Sequence, residues 1–153
     1  MAYTANDAFC AQADVEGLIG RGAFTSTTKP SAQQCLDWMA RVAAEVESRL
    51  AENGIAYTVT SHGAPFPATP TDARTFRLKV LAESANAKGA AAQVLEMHDV
   101  KDEYGRVPSA VAMREEYLAL IGTITAVADA ATLVAACSIT DQTGLEFNSD
   151  TEF

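Results

Sequence analysis

Apolar residues along this chain recur mostly at steps of three and four, the repeat that gathers side chains on one face of an α-helix. The clearest case covers residues 31–53, where Leu36, Met39, Ala43, Val46 and Leu50 form one stripe. Asp37 with Arg41, and Glu45 with Arg49, place an acid four residues before a base on the solvent side of that helix. Asn53 and Gly54 read as its stop. A shorter helix precedes it in "ADVEGLIG", with Asp14 as N-cap and Gly20 as the terminating glycine.

A second long helix is expected over residues 69–97. Thr69, Pro70, Thr71 and Asp72 supply an N-cap, a proline at the first helical position and an acid at the third. Its stripe is Leu78, Leu81, Ala85, Gly89, Ala92 and Leu95. The small residues in the middle, Ala85, Gly89 and Ala92, mark a close helix crossing; the plainer alternative is a tolerated glycine costing about 1 kcal/mol.

A third long helix is expected over residues 108–135, through Tyr117, Ile121, Ile124, Ala128 and Ala131, roughly 40 Å long if unbroken. Gly122, Thr123 and Thr125 are its weak point, where a bend or break is expected. Two stretches depart from the helical rhythm. Tyr57 and Val59 alternate with threonines around residues 55–60, enough for a short extended segment. Leu145 and Phe147 alternate in the polar tail, which reads either as a strand adding to a partner's sheet edge or as a frayed terminus.

The expected fold class is therefore all-α. It is a small bundle of three long helices plus a short N-terminal helix, with an extended segment near residues 55–60 and an extended C-terminal tail. Residues 1–137 form the helical domain and 138–153 the acidic tail. Leu145, Glu146, Phe147 and Phe153 are the tail's candidate partner-interface residues.

Composition supports this reading. Thirty alanines against eleven aromatics favour closely packed helices, and 48% hydrophobic with 20% charged residues excludes disorder over most of the length. The charge distribution adds more. The net charge is −9, and residues 115–153 hold seven acids and no base while all eleven bases lie in residues 1–114. No basic stripe of the kind that binds nucleic acid is visible. Residues 118–139 are long enough to span a membrane, but Asp129 at their centre costs roughly 2.5–3.5 kcal/mol and alanine and threonine offset little of it. A helix buried on more than one side is the better reading. Three cysteines without a CxxC spacing fit reduced thiols, and no signal peptide is expected from the N-terminus.

"GRGAFTSTTKPSAQQ", residues 20–34, has the glycines, hydroxyls and lysine of a phosphate-binding loop. It lacks the preceding strand and the G-x-x-x-x-G-K-[ST] order that such a loop needs, and it lacks the third glycine of a dinucleotide fingerprint. Each residue has a structural role instead. Gly20 and Gly22 end the short helix, Phe24 packs inward, Pro30 blocks an early helical start, and Ser31 with Gln34 forms an S-x-x-Q capping box. His62 and His98 lack metal-ligand spacing, the latter sitting where a helix dipole favours a histidine. The cysteines read as small buried hydrophobes, and Trp38 as a packing residue. Neither a catalytic residue, a metal ligand nor a cofactor site is expected.

The order of parts resembles the head–tail connector (adaptor) proteins of long-tailed bacteriophages. The resemblance runs over residues 12–122: "ADVEGLI", then "GRGAFTSTTKPSAQQ", "CLDWMARVAAEVESRLAENG", an extended "YTV", "ANAKGAAAQVLEM" and "REEYLALIG". It implies a helical subunit of a homo-oligomeric ring, usually of twelve, beneath the portal protein. Such a ring joins capsid to tail in the virion after assembly in the host cytoplasm. It would meet the portal and the next neck or tail-completion protein, with DNA only as passing cargo and no membrane. Residues 123–153 depart from the family pattern. Two other classes fit a small acidic helical chain: a DNA-packaging accessory such as a terminase small subunit, and a holin-like membrane protein built on residues 118–139.

Overall fold

The computed structural model describes residues 3–20, 22–52, 73–98 and 107–142, with the chain beyond Val127 described as backbone alone. Within them lie a 3₁₀ turn, Ala5–Asp7, and four α-helices: α1 (Gln12–Ile19), α2 (Ala32–Glu52), α3 (Ala73–His98) and α4 (Pro108–Gln142). The all-α bundle is as expected, and no strand occurs among the described residues. The extended segment at 55–60 and the tail residues Leu145, Glu146, Phe147 and Phe153 lie outside the described residues.

Local signals set the helix ends. Asp14 is not the N-cap of α1 but its third residue, and its carboxylate accepts the Ala11 N–H at 2.8 Å. The helix begins earlier than the cap pattern suggested because the carboxylate satisfies the first-turn amide from inside. Gly20 closes α1 in the left-handed region, φ 67°, donating its N–H to Glu16 O at 3.1 Å. Gly22 needs no such conformation. At the start of α2 the capping box is complete: Ser31 N–H donates to Gln34 Oε1 at 2.9 Å, and Gln34 N–H to Ser31 Oγ at 3.3 Å. Ser31→Ala is expected to lower stability by about 1 kcal/mol in chemical denaturation. The side chain is largely outside the core, so a loss well above that would point to another role.

Helix α3 is the axis of the bundle and touches α1, α2 and α4. Leu95 clusters with Val107 and Ala110, Gly89 lies against Tyr117, and Leu78 and Ala82 meet Ile124, so α3 and α4 are antiparallel. Val42 of α2 faces Gly89, and Val46 and Leu50 join the same core as Leu78 and Ala82, so α2 also runs against α3. A second core layer joins α1, the loop and α2 to α3 through Val15, Phe24, Cys35, Met39, Ala90 and Val94. On α2 the expected stripe is buried except for Leu36, which is partly covered. Asp37 accepts from Gln33 Nε2 at 2.8 Å, and Arg49 bridges Glu52 at 3.0 Å.

Two features of α4 depart from expectation. It is continuous for 35 residues, about 52 Å, and is not broken at Gly122. The Thr123 and Thr125 hydroxyls fold back onto the carbonyls of Ala119 and Ile121, at 2.9 and 3.1 Å, and so do not interrupt the helical ladder. The helix also runs past residue 137 into what the sequence assigns to the tail.

Candidate functional site

The close crossing centres on Gly89. A Cβ there would lie 2.6 Å from Val42 Cγ1 and 3.2 Å from Tyr117 Cδ2, so α3 is gripped between α2 and α4 where only a hydrogen fits. Ala85 and Ala92, one turn to either side, are buried in the same seam. Lys88 pairs with Glu116, and Glu96 with Arg114 at 3.5 Å, tying α3 to α4 at the rim.

Beside the crossing a pocket of about 200 Å³ opens between Val42 and Glu45 of α2, Gln93 of α3, and Arg114, Tyr117 and Leu118 of α4. Tyr117 is 7% exposed. Its hydroxyl is buried and faces the Glu45 carboxylate. Burial, then the nearby Glu45 carboxylate, push its ionisation upward, so it stays a neutral phenol. A larger groove of about 520 Å³ lies between α1 and α3, lined by Asp14, Gly17, Leu18, Glu83, Ala87 and Lys88. Burial raises the Glu83 carboxyl, and Lys79, 3.8 Å away, partly offsets this.

Residues 20–34 spend their polar groups on themselves. Glu16 Oε1 accepts the Phe24 N–H and the Gln12 side-chain amide, each at 2.7 Å, and that amide also donates to Phe24 O at 3.1 Å. Thr28 Oγ1 accepts the Thr25 N–H at 2.8 Å, and Ala32 N–H donates to Thr25 O at 2.9 Å. Phe24 is buried. The loop is thus a joint between α1 and α2, with a carboxylate where a phosphate cradle would present amides.

Cys10 and Cys35 are buried in the same core layer, and burial pushes each thiol up to about 12. Cys35 donates weakly to Met39 Sδ at 3.7 Å. Both should resist iodoacetamide at pH 8 in the folded protein and react once it is unfolded, as read by peptide mass spectrometry; rapid native labelling of either would contradict the burial. Trp38 packs partly buried against this layer. His62 lies outside the described residues, as does the side chain of His98. Among the described residues no group of three potential metal ligands occurs.

Sequence reasoning missed Asn86. It is fully buried, accepts the Phe9 N–H at 2.7 Å and the Cys10 N–H at 3.4 Å through Oδ1, and donates through Nδ2 to Met39 O at 2.8 Å. One amide thereby ties the N-terminal segment and α2 to α3. The available signal was a polar residue within an eight-residue run of small side chains, Ala85 to Ala92 excepting Lys88.

These features define an all-α bundle whose buried polar groups mostly serve to join its helices, and whose conspicuous surface is an outer helix face with a small pocket beside it. Among the described residues no helix is long and apolar enough to cross a membrane. No protein-family model, curated protein or solved structure gives a significant match to the chain.

Proposed function

We propose that the chain is a structural subunit of a bacteriophage head–tail connector, a homo-oligomeric ring that joins portal to tail around a channel for DNA. The observation that carries this reading is the mismatch between the composition and the burial of α4. The helix is apolar round much of its circumference, and among its described side chains Ala110, Tyr117, Ile121 and Ile124 are the buried ones. Leu118, Ala119, Gly122 and Ala126 are exposed. An apolar face of that length favours burial against a neighbour, as in a ring of identical subunits. The arrangement of parts that resembles the connector family supplies the kind of assembly. The acidic residues after 114 suit a conduit to which DNA does not adhere.

Electron microscopy of the purified virion should place this chain at the neck, between capsid and tail. Its absence from the particle would reject the reading. A packaging accessory would instead bind duplex DNA with an affinity that falls steeply with salt, so a filter-binding titration separates the two.

A further inference from the structure

Residues 3–11 form a strap that satisfies much of its own backbone. In the 3₁₀ turn the Asp7 carboxylate accepts the Thr4 N–H at 2.7 Å and the Thr4 hydroxyl at 2.8 Å, and Asp7 N–H donates to Thr4 O at 3.0 Å. At the other end Asp14, in the first turn of α1, accepts the Ala11 N–H at 2.8 Å. Neither set of groups depends on the rest of the bundle. The grip between strap and bundle is concentrated at Phe9 and Cys10. Both side chains are buried, Phe9 in the layer that contains Val42, Val46, Ala82 and Ala85, and both N–H groups point at Asn86 Oδ1. Further out, Tyr3 O accepts from the exposed Gln33 side chain at 3.0 Å, and Tyr3, Thr4 and Ala5 are exposed. Asn86 is fixed from behind by its bond to Met39 O at 2.8 Å, which does not involve the strap.

We propose that residues 3–11 are a peptide ligand bound in cis, a latch that opens as a unit while α1 to α4 stay folded. Asn86 and the Phe9 seat are then a slot for an extended segment with an aromatic anchor, and its occupant is the chain's own N-terminal segment. The division of labour is that of a peptide-binding groove: a side-chain seat takes the anchor, and a polar group reads the main chain beside it. Closing the latch orders a run of residues at a chain end, and few groups are buried in return. The open form is therefore populated far above the globally unfolded chain. Helix α1 need not follow the strap, because Val15 holds it in the layer with Ala90 and Val94. The inference is independent of the connector reading.

The first test is native-state amide exchange of the full chain in increasing urea, read by NMR. The Phe9 and Cys10 amides should exchange at least about tenfold faster than those of Ala90 and Val94 on α3, at a rate nearly independent of urea below the unfolding transition. Equal rates with equal urea dependence mean that the strap leaves only when the bundle unfolds, and the proposal fails. The second test replaces the latch in trans. A fluorescein-labelled peptide of residues 3–11 is titrated, under reductant, into the wild-type and Phe9→Ala chains and followed by anisotropy. In the wild type the tethered strap competes at roughly millimolar effective concentration, so the peptide binds weakly. Phe9→Ala removes the anchor in cis, and peptide affinity should rise by about tenfold or more. The same peptide carrying Phe9→Ala should not bind. A folded Phe9→Ala chain that binds neither peptide up to about 1 mM, or binds both alike, overturns the proposal. If Phe9→Ala does not fold, amide exchange in the wild type decides alone.

Discussion

Gly89→Ala should lower the unfolding free energy by about 2 kcal/mol, although the same change in an exposed helix interior raises it by about 1 kcal/mol. The sign reverses because of what the added methyl meets. It would sit 2.6 Å from Val42 Cγ1 and 3.2 Å from both Val42 Cγ2 and Tyr117 Cδ2. A helical valine has one strongly preferred rotamer, so Val42 has little freedom to turn aside. Val42 and Tyr117 are both buried in the same core. Relief therefore requires α3 to move away from its neighbours, which loosens packing along the whole seam. Urea denaturation of Gly89→Ala in the wild-type and Val42→Ala backgrounds is the measurement. With the γ-carbons gone, the glycine substitution should become neutral or stabilising. Equal losses in both backgrounds would mean that the approach of α2 is not what requires glycine.

The second large effect is expected at Asn86. Asn86→Leu keeps a similar volume but leaves the Phe9 N–H without its 2.7 Å acceptor and removes the bond to Met39 O. Buried polar groups stripped of partners cost about 1–3 kcal/mol each, so a total near 3 kcal/mol is expected. The loss should also have a location. Residues 3–10 should detach first, with faster amide hydrogen exchange at Phe9 and Cys10 than in the wild type. A loss below about 1 kcal/mol with protection at those two amides intact would remove Asn86 from its assigned role.

Much of the fold was legible along the chain because its signals are local. The Ser31–Gln34 box and the Gly20 stop depend on groups within four residues of each other, and both stand as the pattern implied. The stripe on α2 was legible because one side of that helix faces solvent, so apolar and polar positions alternate with the helical period. Asp14 was misplaced because a carboxylate can cap from the third position as well as from the first. The continuity of α4 was misjudged for a similar reason. Threonine hydroxyls that weaken an isolated helix can also bond its own carbonyls, and Gly122 costs less than a break would. Of the candidate site, the Gly89 seam was legible from its run of small residues. The Tyr117 pocket was not, since it arises where three helices separated in sequence leave a gap.

The sequence by itself determined that this chain is helical, where α1 ends and α2 begins, and which side of α2 turns inward. Each of these follows from backbone hydrogen bonding and side-chain spacing within a turn or two. Only the tertiary structure decided which helix lies at the centre. The alanine-rich α3 is packed on several sides, because small side chains let three neighbours approach at once. Burial depends on what lies opposite a residue as well as on the residue itself. That is why α4 carries an exposed Leu118 next to a buried Tyr117.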